Sequence, residues 1–302
     1  MKEFSVKILH EIKKLIPKDQ KVEISSIMKN NGITEEAVSI LEKDKNISPT
    51  IYLGEFYEWY KEGVELELLA AEIVRRNNEY KLENSLDIGF FVDYGKAKKR
   101  IVFKLINREK NRKLLENIPF IDYMDLVMVF YYLIHDEEAG NATILIHNSH
   151  LKMWGVSREE IYREACNNTP NLLPAAITGM REIIEQMMGE KIQQEETIPD
   201  EIPMYVMTNP MKMNGAATMA YPNVVRNFAN ALGKNVYIIP SSVHEVILVP
   251  ESGTEGGRLN DMVREVNRTQ VDPKEVLADH VYYYNREENR MQSYVCESVT
   301  YC

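Results

Sequence analysis

Two places in the 302-residue chain bring histidines close to other groups that could do chemistry. The first is Pro240-Ser241-Ser242-Val243-His244-Glu245-Val246, which sets two hydroxyls, an imidazole and a carboxylate between two apolar runs. A serine nucleophile needs a base within hydrogen-bond reach and a third group to orient that base. In an extended strand Ser242 and His244 share a face but lie about 6.6 Å apart, too far for direct proton transfer. No GxSxG elbow surrounds either serine. The segment therefore reads as a turn between strands, its serines satisfying backbone groups and its polar side chains forming a binding rim. The second place is the pair His147 and His150. A zinc site needs three or four ligands, and only Asp136, Glu137 and Glu138 lie across the neighbouring hairpin. Neither HEXXH nor a deaminase HxE with PCxxC is present, so the pair reads as part of a capped loop, Asn148–Trp154, at a strand-to-helix junction, with one packed histidine.

One stretch stands out by charge. Residues 96–113 hold nine basic side chains against Glu109 alone, while the whole chain carries 36 basic and 46 acidic groups, a net charge of −10. If this stretch were one helix, Lys96, Arg100, Lys104, Arg108 and Arg112 would share a face able to neutralise phosphates. The remaining chain sums to about −18, and a field of that sign slows approach to nucleic acid. Pairing with Glu55, Glu58, Glu62, Glu65 and Glu67 explains the same residues, so nucleic acid is not the expected partner. Gly253, Gly256 and Gly257 before a helix match neither Walker A nor the dinucleotide fingerprint, and read as a flexible connection.

The elements that must position these groups follow from periodicity. Phe4, Ile8, Ile12 and Leu15 recur at helical spacing and stop before Pro17. A hairpin turns at Asn31-Gly32. Ser48-Pro49 and Gly63 predict helices over about 49–62 and 64–83. Ile101, Phe103 and Leu105 alternate as a strand, and 108–115 reads as helical. Leu126–Ile134, Thr143–His147 and a helix opened by a Ser157/Glu160 capping box form a strand-strand-helix unit. The same order is expected over 204–208, 216–221 and 222–232, and again over 236–239, 245–249 and the helix around Leu259, Met262, Val263 and Val266. A last hairpin spans His280–Tyr294, with Tyr282 and Tyr284 on one face and Tyr283 on the other. The expected fold class is α+β, with antiparallel sheets built from strand-strand-helix units and helices on one face, preceded by a hairpin and helices. Four regions follow: 1–84, 85–188, a polar linker at 189–203, and 204–302.

Composition excludes a disordered chain, a collagen and a disulfide scaffold, since 44% of residues are hydrophobic and 27% charged. The longest apolar run, Leu126–Ile134, is nine residues, well short of the ~20 that span a bilayer. Charge at Lys2, Glu3, Lys7, Glu11, Lys13 and Lys14 interrupts any signal-peptide core. Cys166, Cys296 and Cys302 form an odd set without CxxC spacing, as expected of free thiols in the cytoplasm.

Asn148-Ser149-His150-Leu151-Lys152-Met153-Trp154-Gly155-Val156, the Pro240–Val246 segment and Asn214-Gly215-Ala216-Ala217 together resemble a family of uncharacterised bacterial cytosolic proteins, a domain of unknown function, over about residues 20–295. That resemblance implies the compartment and assigns no catalytic residue, cofactor or substrate.

The resulting expectation is a cytoplasmic, non-enzymatic binding or protein-interaction module without metal or cofactor. Its candidate binding residues are Asn148, His150, Trp154, Ser241, Ser242, His244 and Glu245, its partner a protein or small molecule, with self-association through the terminal hairpin. The alternatives are a hydrolase using Ser241 or Ser242 with His244, or a metal on His147 and His150, and nucleic-acid binding through 96–113.

Overall fold

The computed structural model describes residues 1–43, 45, 48–81, 89–136, 140–189, 203–253 and 256–294. The chain forms two compact units, Met1–Phe90 with His135–Ala142, and Phe91–Ile134 with Thr143–Cys302. Among the described residues it is an α+β protein with three antiparallel sheets. No helix among them is long and apolar enough to cross a membrane.

In the first unit α1 (Lys2–Leu15) buries Phe4, Ile8 and Ile12, so its apolar stripe is a packing face. β1 (Lys21–Met28) and β2 (Thr34–Leu41) pair as the expected hairpin, with Asn31 and Gly32 at φ 60° and 70°. The helix expected from Ser48-Pro49 starts later. β3 (Ile51–Tyr52) pairs with Val38 and Ala37 of β2, and Ser48 Oγ donates to the Ile40 carbonyl at 2.7 Å. Burial of Ile51 and Leu53 outweighs the preference of proline for a first helical turn. α2 (Gly54–Lys61) and α3 (Leu66–Tyr80) then close the core with Phe56, Leu69 and Ile73.

The chain continues through α4 (Gly89–Val92) and α5 (Tyr94–Ala97) into β4 (Ile101–Asn107), α6 (Arg112–Leu115), β5 (Phe120–Tyr123), β6 (Leu126–Asp136) and β7 (Gly140–Leu145). This sheet runs β4-β6-β5, with β7 paired to β6. Then come α7 (Asn148–Trp154) and α8 (Arg158–Leu172), opened by the expected capping box between Ser157 and Glu160. β8 (Ala176–Gly179), α9 (Met180–Met188), β9 (Tyr205–Thr208), α10 (Val224–Leu232), β10 (Val236–Ile239), β11 (Val246–Pro250), α11 (Gly256–Thr269), β12 (Tyr282–Asn285) and β13 (Arg290–Ser293) complete the order. Six of these strands form one sheet, β13-β12-β10-β11-β9-β8.

Three expected elements take another form. Residues 216–221 are not a strand: Gly215–Ala220 is a 3₁₀ helix. A Cβ on Gly215 would lie 2.1 Å from Thr208 Oγ1 and 2.4 Å from the His244 carbonyl oxygen, so the backbone there is pressed against two other segments and cannot join a ladder. Residues 148–154, expected as a loop, are α7, closed by Gly155 in the left-handed region at φ 67°. Of the helix expected over 108–115, Arg112–Leu115 alone is helical.

The core of the second unit joins β4, β6 and α8 to β9, β10, β11 and β12, so the regions 85–188 and 204–302 share it. The expected linker lies, at 190–202, outside the described residues. On the six-stranded sheet Met207, Val246, Leu248, Ile238, Tyr282 and Tyr284 face this core. Ladder partners share a face, so Val206, Ile247, Ile239 and Val249 point to the other side. α11 covers one end of that second face, with Leu259 and Val263 against Tyr237, Ile239 and Val249. α9 covers the other end.

Candidate functional site

The predicted serine-histidine segment is a tight turn between β10 and β11. Ser242 Oγ accepts from the His244 N–H at 3.0 Å, and Ser242 N–H donates to the Glu245 carbonyl at 3.2 Å. His244 Nδ1 accepts from the Asn214 N–H at 3.2 Å, and its Nε2 faces Glu275 at 3.7 Å. The His244 carbonyl accepts from Thr208 Oγ1 at 2.8 Å. One imidazole nitrogen therefore holds a backbone amide, the other faces a carboxylate, and the Ser242 hydroxyl holds a backbone amide as well. The geometry fastens the turn to the Asn214-Gly215-Ala216 corner, bringing two of the sequence motifs together.

His147 and His150 meet at the start of α7, their ring centroids 5.5 Å apart. The His147 N–H donates to His150 Nδ1 at 3.1 Å, which fixes the His150 proton on Nε2. His150 packs edge-on against Phe91 with centroids 5.0 Å apart, and Trp154 Nε1–H donates to the Phe91 carbonyl at 2.9 Å. Burial and the neighbouring His147 charge push the His150 pKa below its ordinary value. The Asn148 side chain donates to the Glu116 carbonyl at 3.5 Å. Among the described residues no group of three or more His, Cys, Asp or Glu is placed to hold a metal. Glu137 and Glu138 lie outside those residues.

The basic stretch is divided among different elements. Lys96 lies on α5 and Lys104 on β4, so no continuous helical stripe forms. Arg100 Nε donates to the Leu133 carbonyl at 2.7 Å, Arg108 pairs with Asp122 at 3.3 Å, and Arg112 pairs with Glu109. Glu55 and Glu58, expected as partners, instead pair with Arg76 and Lys61.

A concave site lies elsewhere, under α9. A half-open cavity of about 470 Å³ separates that helix from the second face of the sheet. Met180, Ile183 and Met187 form its helix wall, and Thr178, Val206 and Thr208 its floor on β8 and β9. Lys212, on the loop after β9, Glu245, just before β11, and Glu182, on the helix, also line it. Glu245 is the one predicted residue that lines it; Asn148, His150 and Trp154 do not. The cavity is within the size range of small-molecule sites, with apolar walls and a few convergent polar groups.

Sequence reasoning missed this wall because β8 is four residues long. The signal for α9 was present: Met180, Ile183, Ile184, Met187 and Met188 recur at helical spacing. Cys166 on α8 is a free thiol whose pKa burial pushes up.

These features define an α+β protein with a small, half-open, amphipathic cavity on the outer face of an antiparallel sheet. The chain belongs to a family of unknown function, DUF5688, whose model matches residues 1–286. No curated protein and no solved structure matches the chain.

Proposed function

We propose that this chain is a cytoplasmic, non-enzymatic binding protein whose ligand occupies the cavity between α9 and the sheet. The observation that carries the reading is an open volume of about 470 Å³ walled by Met180, Ile183, Met187 and Val206 and edged by polar groups. A methionine wall suits an adaptable site, since the unbranched thioether repacks around different shapes. The Ser242 hydroxyl and the His244 imidazole, two of the groups a hydrolase would use, are engaged with backbone amides at the neighbouring turn, which supports a scaffold role for them.

The test uses an uncharged environment-sensitive dye, Nile red, titrated into the wild-type chain and into Thr178→Trp, whose indole would fill the floor. Saturable fluorescence enhancement that the variant loses, with its melting temperature retained, is the expected result. Enhancement unchanged in the variant, or absent from the wild type, would overturn the reading.

Self-association through the terminal hairpin is a second reading, favoured by the place of β13 at the end of the six-stranded sheet. An unpaired strand edge can add a strand from another copy. A sedimentation coefficient that stays that of a monomer as concentration rises would remove it.

A further inference from the structure

The charged groups that line the cavity are of both signs, Lys212 against Glu182 and Glu245. Among the described residues neither Lys212 nor Glu245 has an ion-pair partner. Lys212 also adopts φ 50°, a left-handed conformation that a lysine enters at a cost and that glycine or asparagine would fill more cheaply. The turn is over-determined around it. Asn209, only 1% exposed, donates through Nδ2 to the Met213 carbonyl at 2.9 Å, and the Lys212 N–H donates to the Asn209 carbonyl at 2.9 Å. Backbone strain held by such supports is a mark of function. The backbone would be better served by another residue, so the ammonium group is the feature that lysine adds there.

Resting on the cavity as the binding site, we propose that its ligand is a zwitterion with an apolar side chain: a free apolar α-amino acid or a short apolar peptide. Lys212 takes the carboxylate, Glu245 takes the ammonium group, and Met180, Ile183, Met187 and Val206 take the side chain. A simple anion such as a fatty acid would meet two carboxylates, Glu182 and Glu245, against one ammonium. A simple cation would meet a like charge in the exposed Lys212. A ligand carrying both charges pairs each protein group with its complement.

The experiment follows the methyl signals of Met180 and Met187 in ¹³C-methyl-methionine-labelled full-length protein while ligands are titrated. The ligands are L-leucine, Leu-Leu, leucinamide (ammonium only), N-acetyl-leucine (carboxylate only) and isoamyl alcohol (neither). Expected is binding of leucine or Leu-Leu at least tenfold tighter than of either blocked form, the tighter of the two identifying amino acid or peptide as the source. Lys212→Asn, which keeps the left-handed preference, should weaken the zwitterion at least tenfold and leave leucinamide bound no more weakly than in the wild type. Glu245→Gln should weaken it similarly and leave N-acetyl-leucine bound no more weakly than in the wild type. Blocked forms or isoamyl alcohol binding as tightly as leucine at the same methyls would overturn the zwitterion and leave the cavity reading standing. No shift with any of the five would overturn both.

Discussion

α11 and α9 lie on the same face of the same sheet and are held to it in opposite ways. α11 buries Leu259 and Val263, and its Asn260 side chain donates to the Tyr294 carbonyl at 2.8 Å and accepts from the Val281 N–H at 2.7 Å. Gly256 begins the helix against the Tyr294 ring, where a Cβ would lie 2.3 Å from Cε1. α9 buries no residue; Met187 is 82% exposed and Met188 65%. Within the helix Arg181 pairs with Glu185 at 3.3 Å. The contrast shows what a sheet face does when it is packed and when it is left open. One end spends its apolar surface on the fold, and the other leaves it lining an open cavity.

The largest test of this contrast is truncation. Leu259→Ala should lower unfolding free energy by about 2–5 kcal/mol through lost burial and a cavity, whereas Met187→Ala should stay within about 0.5 kcal/mol. Denaturant midpoints at constant m-value measure both, and equal losses would break the comparison. Amide hydrogen exchange gives the next effect: α9 amides should exchange about 100-fold faster than those of α11, because few buried contacts resist local opening. Gly256→Ala should cost about 1–3 kcal/mol by forcing the Tyr294 ring away, read from the same midpoints. The smallest effect concerns protons. His150 lies off this face, and its depressed pKa means the folded chain binds fewer protons than the unfolded one below about pH 6.5. Stability should fall as pH drops from that value through the folded pKa, and His150→Phe should remove the dependence. The exchange gap between α9 and α11 should not change with it.

Much of the frame was legible where one local signal acts alone. The α1 stripe, the Asn31-Gly32 turn, the Ser157/Glu160 box and the alternation of Tyr282, Tyr283 and Tyr284 need no distant partner to be read. The failures lie where distant contacts decide. Ile51 and Tyr52 are strand because β2 offers a ladder, and 216–220 is 3₁₀ because Thr208 and His244 crowd Gly215. The apparent basic stripe dissolved for a related reason: its helical alignment required one element, and burial of Ile101, Phe103 and Leu105 made β4 in its middle. Of the candidate site, Glu245 was visible as part of a polar cluster. Lys212 was not, since a lone lysine in a loop carries no pattern until its backbone angle is known.

Gly215 offers the family a diagnostic. Its backbone touches a neighbouring carbonyl where no side chain can be inserted, so that position must stay glycine in every member that shares this architecture. The residues around the opening under α9 face no such steric veto. Divergence there, beside an unvarying Gly215, would mark members that kept the scaffold while adapting to different small molecules.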